Sequence, residues 1–430
     1  MAGVLLRGCV LLCICVGATN AAFAQPASID VTPAAPNTAS LPELLERLDA
    51  LQRRVEVLER QLAESASTPE TTAPAAALSP QAAHLPISAL AAADQFAVEQ
   101  AIQYPSLRIH GFLDVNFAKD DVGSPAGFHM GQLVLHLASA LGPKVNVFAE
   151  TSFAPRLTGE PGTVPTSYAV DLERGFIRYD HNDAFKLSFG RFHTPIGYWN
   201  NAYHHGLYLQ TTVSGPELMA FGATYQPVHF IGVLAEGRAP GTRLGLGYTA
   251  GIGNGRASNL TRGGDAGDSN SHKAVLANLF ARPEAVNALE LGVSVYHDRA
   301  TPLLGPTMNE WITSAHLAWT NETPELIAEV VNVRHIDRAT GATFNNPAFY
   351  VQGAYRLPWY EARWKPYYRF ENINTSVDDP WLDALDISVS TLGLRYDIAD
   401  FAAFKGEYRR SSRRTRGREN AMFLQTSFTF

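Results

Sequence analysis

From Leu107 to Phe430 the chain alternates apolar and polar residues with a period of two, in segments close to the 9 to 11 residues or so of a tilted membrane strand. The clearest are 107–117, 289–298, 311–319 and 402–410. In the first, Leu107, Ile109, Gly111, Leu113, Val115 and Phe117 share one face, while Arg108, His110, Asp114 and Asn116 take the other. No later segment offers the roughly 20 continuous apolar residues of a membrane helix. A chain with this pattern that crosses a bilayer must do so as a closed barrel, the only other way to satisfy every backbone N–H and C=O in lipid.

A soluble sandwich alternates too, so the turns decide. Sixteen segments begin near residues 107, 128, 144, 170, 184, 218, 242, 272, 288, 310, 325, 347, 364, 386, 402 and 420. Long polar connections such as 253–271 and 376–385 alternate with short turns such as 141–144, 321–324 and 398–401. An even-stranded antiparallel transmembrane barrel, with short turns at one end and longer loops at the other, has this two-beat rhythm. The expected fold is therefore all-β, a 16-stranded barrel over residues 105–430.

The N-terminal region reads differently. Arg7, an apolar stretch over residues 10–16 and Ala22-Phe23-Ala24 form a secretory signal peptide, residues 1–24. Its removal takes all three cysteines, Cys9, Cys13 and Cys15, and with them any thiol or disulfide chemistry. It leaves 33 basic against 41 acidic groups, a balance unlike that of a nucleic-acid binder. A flexible lead (25–40) precedes a heptad seam of Leu41, Leu44, Leu48, Leu51, Val55, Leu58 and Leu62, which predicts a short coiled coil over 41–64 and self-association as a homotrimer. An Ala/Pro/Ser-rich linker (65–104) follows.

Trp359, Tyr360 and Trp364 flank one short turn, where an interfacial aromatic girdle would lie. The last segment places Met422, Leu424, Thr426, Phe428 and Phe430 on one face and ends on an aromatic. That ending resembles the assembly signal read by the outer-membrane barrel assembly machinery. The expected location is the outer membrane of a Gram-negative bacterium, in contact with lipid and lipopolysaccharide, with the coiled coil in the periplasm.

By parity the stretch after the fifth strand, about 195–217, is the third outer loop. In sixteen-stranded porins that loop commonly folds inward and narrows the channel. The run Gly190-Arg191-Phe192-His193-Thr194-Pro195-Ile196-Gly197 resembles the G-x-F-x-x-P-x-G strand end of the phosphate-selective porin O/P family, in which Lys often stands at the position of His193. A coiled coil before the barrel also resembles a branch of trimeric porins that pass small organic anions. The resemblance implies a constriction loop containing Arg191, His193, Tyr198, Trp199, Asn200, His204 and His205. Arg191 faces lipid under strict alternation; a bulge at Gly190 or an early exit from the membrane would return it to the pore mouth.

Inward positions carry Arg108, His110, Asp114, Glu150, Arg243, Glu290, Lys365, Arg369, Glu371, Arg395, Asp397, Lys405, Glu407 and Arg409. The basic members of the last four strands either form a wall that concentrates anions or pair with Glu371, Asp397 and Glu407. Arg410, Arg413, Arg414, Arg416 and Arg418 in the last outer loop suit lipopolysaccharide phosphates.

Enzymatic and metal signals are weaker. His193, His204 and His205 have the right chemistry for zinc. Adjacent His204 and His205 rarely face one ion, however, and no Asp or Glu between Asp183 and Glu217 could orient them. Hydrogen-bonding loop histidines, without a metal, are expected. Gly245-Leu246-Gly247-Tyr248-Thr249-Ala250 matches a dinucleotide fingerprint only formally, because no helix follows. No nucleophile elbow, P-loop or triad spacing points to an enzyme, and no cofactor is implied. The expected function is passive diffusion of small hydrophilic or anionic solutes. The rival is a closed barrel that anchors a periplasmic tether.

Overall fold

The computed structural model describes residues 104–123, 126–155, 167–219, 225–260, 266–382, 385–414 and 417–430. The signal peptide, flexible lead, coiled coil and all but the last residue of the linker lie outside the described residues. So does Arg416. The described strands run in order as β1 (Ser106–Asp120), β2 (Gly127–Gly142), β3 (Val145–Pro155), β4 (Tyr168–Asn182), β5 (Phe185–His193), β6 (His229–Arg238), β7 (Leu246–Asn254) and β8 (Ala274–Ala281). They continue as β9 (Leu289–Ala300), β10 (Met308–Thr320), β11 (Glu325–Asp337), β12 (Thr343–Ala354), β13 (Trp364–Ile373), β14 (Ile387–Ala399), β15 (Ala402–Arg413) and β16 (Gly417–Thr429).

Each strand pairs antiparallel with its neighbours in sequence, and β1 pairs with β16 to close the barrel. The seam is completed by the terminal residue: Gly111 N–H donates to the Phe430 carbonyl and Phe430 N–H to the Gly111 carbonyl, at 2.9 and 3.0 Å. Closure leaves no strand edge for lipid to solvate. Leu107, Ile109, Val170, Leu172, Leu279, Val293 and Leu392 are exposed on the outside, each a side chain that lipid accepts. The alternation therefore predicts the sixteen strands and their sidedness.

Three expectations change. β6 begins at His229, not near residue 218. Leu218, Met219 and Tyr225, whose apolarity suggests a strand, are buried inside the barrel. The two-beat rhythm holds in part, because connections 338–342 and 414–416 at one end are shorter than turns 239–245 and 355–363 at the other. With β15 reaching Arg413 and β16 starting at Gly417, Arg410, Arg413 and Arg418 are strand residues rather than members of a long loop.

Register is unbroken at Gly190, so no bulge forms there. Gly190 instead adopts φ +149°, and Arg191 turns back to donate from Nε to the Glu173 carbonyl at 3.1 Å. A Cβ on residue 190 would overlap the Gly175 carbonyl and Phe176 Cα. Backbone strain of this kind costs about 1–3 kcal/mol, so Gly190→Ala should lower the thermal unfolding midpoint of the barrel in detergent. An unchanged midpoint would contradict the close approach.

Candidate functional site

The connection 194–228 is the longest between described strands, and it turns into the barrel. Its neck is tied: Thr194 N–H donates to the Val228 carbonyl at 2.9 Å, and Asn200 Nδ2 donates to the carbonyls of Thr194 and Val228 at 2.8 and 3.0 Å. Gly197, at φ +69°, lets the backbone lie against Glu329, whose carboxylate would collide with a Cβ there. That carboxylate accepts from the N–H groups of Tyr198 and Trp199 at 3.0 and 2.7 Å, at the start of the one-turn helix α1 (Trp199–Ala202). Tyr350 Oη donates to it as well, at 2.6 Å. Of the two glycines in the G-x-F-x-x-P-x-G run, Gly190 thus meets a requirement of the β4–β5 pairing and Gly197 one of this loop.

Tyr198, Trp199, Asn200, His204 and His205 are all buried, whereas Arg191 and His193 end β5 and are not part of the loop. Ile196, Tyr198, Trp199, Tyr203, Leu218 and Met219 pack with inward Tyr296, Ile312, Ile327, Val331 and Tyr350 into an apolar core inside the barrel. An interior face of this composition breaks the polar-in rule of a water-filled pore. It is compensated by the loop's own apolar residues.

Beyond Tyr203 the loop has no sheet to satisfy its backbone, and the wall of β13–β15 supplies side chains. Lys405 donates to the carbonyls of Leu207, Gln210 and Thr212. Arg395 donates to those of Tyr208 and Gln210 at 2.8 and 3.0 Å, and Arg369 to those of Ser214 and Gly215, both at 2.9 Å. Glu407 accepts from the N–H groups of Val213 and Ser214 at 2.9 and 3.3 Å, from Ser214 Oγ, and from Tyr367 Oη at 3.0 Å. Glu371 accepts from Glu217 N–H, and the Glu217 carboxylate pairs with Arg409 and Arg413.

These charges therefore do not form an open basic wall. Lys365 is taken up by Glu322 and Glu325 at 2.8 and 2.7 Å, Arg369 also by Glu371, and Arg395 also by Asp397. Glu290 holds Arg282 and His316, Asp114 accepts from Asn116 and from Gln132 N–H, and Glu150 holds Arg174 and His136. Arg108 and His110 remain exposed near the start of β1. Arg243 is misplaced by parity: it sits exposed in turn 239–245, because β7 starts at Leu246.

The loop leaves space on the β3–β8 side. A partly open cavity of about 70 Å³ is lined there by Phe148, Arg174, Phe176, Arg178, Phe192 and Glu236, among others. Above it His193, His204 and His205 meet His229, directly opposite His193 in the β5–β6 register. Burial, then the imidazoles of His205 and His229, holds His204 well below the usual histidine range. Glu173 faces this group because β4 bulges: Glu150 pairs with Arg174 and Thr151 with Leu172, so both Glu173 and Arg174 turn inward. His229 and Glu173 escape the sequence reading for those two reasons, a late strand start and a broken alternation.

A second buried network ties outer connections to the wall. His335 bridges Asp379 at 2.7 Å and Glu310 at 2.9 Å, and Glu310 pairs with Arg256 at 2.7 Å. Burial alone would raise the Asp379 carboxyl; hydrogen bonds from His335, Trp381 N–H and Asn346 hold it below its usual range.

Removing one buried partner of a hydrogen-bonded group costs about 1–3 kcal/mol. Glu407→Ala strips several loop donors at once, and should make the loop cleavable by protease in detergent while the strands stay intact. A loop as resistant as in the parent would show that Glu407 does not anchor it.

No family model and no curated protein sequence matches the chain. Solved structures do match. An anion-selective porin from Comamonas acidovorans aligns with TM-score 0.56 and 10% identity, over 76% of this chain and 100% of that one. A loop L8 deletion mutant of OmpT, an outer membrane protein of Vibrio cholerae, aligns with TM-score 0.54 and 12% identity, over 76% and 100%. The outer membrane channel DcaP of Acinetobacter baumannii aligns with TM-score 0.52 and 12% identity, over 76% and 97%. The likeness is one of fold: the chain forms a closed sixteen-stranded antiparallel barrel similar to those of outer-membrane porins and channels.

Proposed function

We propose that the protein is an outer-membrane porin that lets small hydrophilic solutes diffuse passively past its inward-folded loop. The observation that carries this reading is the partly open cavity between the loop and the β3–β8 wall. The similar solved folds, one of them an anion-selective porin, support it. So does the signal peptide. Diffusion through such a passage needs no cofactor; width and lining groups set what passes.

Arg174 and Arg178 are the cations that line the cavity; both are paired, with Glu150 and with Asp180 and Glu236, but they border open space where the β13–β15 cations are covered by the loop, and we assign the weak anion preference to them. Phosphate specificity is not part of the proposal, because His193 faces other imidazoles and offers no fixed cation to the passage. The heptad seam Leu41 to Leu62 would hold three copies together in the periplasm, where Phe430 would have been read during assembly.

A closed anchor is the second reading. It is favoured by the filling of the lumen, where Tyr225, Tyr296, Tyr350, Lys365, Arg369 and Lys405 are fully buried. The full-length protein in planar bilayers under a salt gradient separates the two. Stepwise currents with an anion-directed reversal potential are expected, and no current in repeated preparations would leave only the anchor. Arg178→Gln frees Asp180 and Glu236 from their partner and should move the reversal potential toward cations. An unmoved potential would count against Arg178 as a selectivity group.

A further inference from the structure

Four buried histidines converge where the loop meets the end of the β5–β6 hairpin. His193 and His229 come from paired strand ends, and His204 and His205 from the loop. One nitrogen of each can be chosen so that all four lie within 4.8 Å of one another. Ring centroids of His193–His204 and His204–His205 are 4.2 and 4.5 Å apart, and His204–His229 5.0 Å. Around a tetrahedral ion with metal–nitrogen bonds of about 2.0–2.1 Å, donors stand about 3.4 Å apart. Side-chain rotations of about 1 Å therefore close the group onto one ion.

The two grounds for dismissing a metal from sequence do not hold in the fold. His204 and His205 share one cluster because the loop kinks after α1, with Gly206 at φ +80°. The missing carboxylates come from the wall. Glu173 Oε2 stands 3.2 Å from His205 Nε2 and 2.9 Å from His229 Nε2, and Glu150 Oε2 3.6 Å from His193 Nε2. Carboxylates behind imidazoles orient the rings and raise their basicity toward a metal. Glu173 itself is fixed by Ser152 Oγ at 2.6 Å. With His205 Nε2 beside Glu173, its ligand nitrogen would be Nδ1, where an ion would take the place of Gln132 Oε1, now 3.1 Å away. Neither nitrogen of His193 has a hydrogen-bond partner, although the side chain is buried. A buried imidazole without such a partner is costly unless something else engages it.

We propose that His193, His204, His205 and His229 bind one divalent transition-metal ion of the zinc class. All-imidazole donors suit zinc, cobalt, nickel and copper(II), and disfavour calcium and magnesium, which take oxygen ligands. Four neutral imidazoles leave the ion's two positive charges uncompensated. Glu173 offsets one, and Glu150, shared with Arg174 and His136, lies 3.6 Å from His193. The bound ion clasps the loop to the β5–β6 wall, on the side away from its hydrogen bonds to Lys405, Glu407 and Arg369. The site stands whether or not the barrel conducts.

The test uses the full-length protein in detergent, stripped with chelator and then titrated with Zn²⁺ or Co²⁺. One ion per chain is expected, with the strong visible absorption of tetrahedral Co²⁺. His204→Gln and His229→Gln should each weaken binding at least tenfold, whereas His272→Gln, in an exposed loop, should not. No binding, or the weak spectrum of six-coordinate Co²⁺, would overturn the proposal without any variant. So would full binding retained by folded His204→Gln and His229→Gln proteins. Should those variants misfold, the parent's stoichiometry and cobalt spectrum still decide.

Discussion

The hydrogen-bonded seam between β1 and β16 is the constraint on which the rest depends. In lipid an unpaired backbone group costs several kcal/mol, roughly, so a sheet of this kind is viable only when its first and last strands meet. Antiparallel rungs from Phe112↔Thr429 to Asp120↔Ala421, finished by the Gly111–Phe430 pair, provide that meeting. Once the cylinder is closed its interior is shielded from lipid. Charged residues can then be placed there at a density no lipid-facing surface would accept.

Some of those charges pair across the wall, and several on β13–β15 find partners in the loop. A segment carried into an enclosed lumen leaves its backbone donors and acceptors without a sheet ladder, and each needs a partner from somewhere. Lys405, Arg395 and Arg369 meet carbonyls, while Glu407, Glu329 and Glu371 meet N–H groups. Wall and loop are thus complementary in the simplest sense, cations to carbonyls and carboxylates to amides. The same pairings explain why a cluster of basic residues in the last strands need not make a basic channel. The space left beside the loop lies toward β3–β8, where Arg174 and Arg178 line it.

Sidedness and strand count were legible because a two-residue period is imposed on every strand by lipid outside and polar groups within. Leu107 and Ile109 against Asp114 already display it. Failures occur where another environment replaces lipid. Leu218, Met219 and Tyr225 mimic a strand because the lumen core, like lipid, takes apolar side chains. At Glu173 a bulge adds one residue, so parity counted back from Arg178 puts Glu173 outside and parity counted forward from Leu172 puts Arg174 outside. The four-histidine group was only partly visible: His193, His204 and His205 stand close in sequence, but His229 joins them through strand pairing and Glu173 through that bulge. The pairing of Lys405 or Arg395 with loop carbonyls leaves no sequence signature, since it depends on the path of the loop in space.

On the proposed function, the loop held by these side chains sets the width of the passage. Single-channel conductance of the intact protein, compared with one in which residues 207–215 are replaced by a short Gly/Ser link, tests it most directly. Larger current steps are expected from the shortened protein, with the barrel still folded. Equal conductance from the two folded proteins would contradict it.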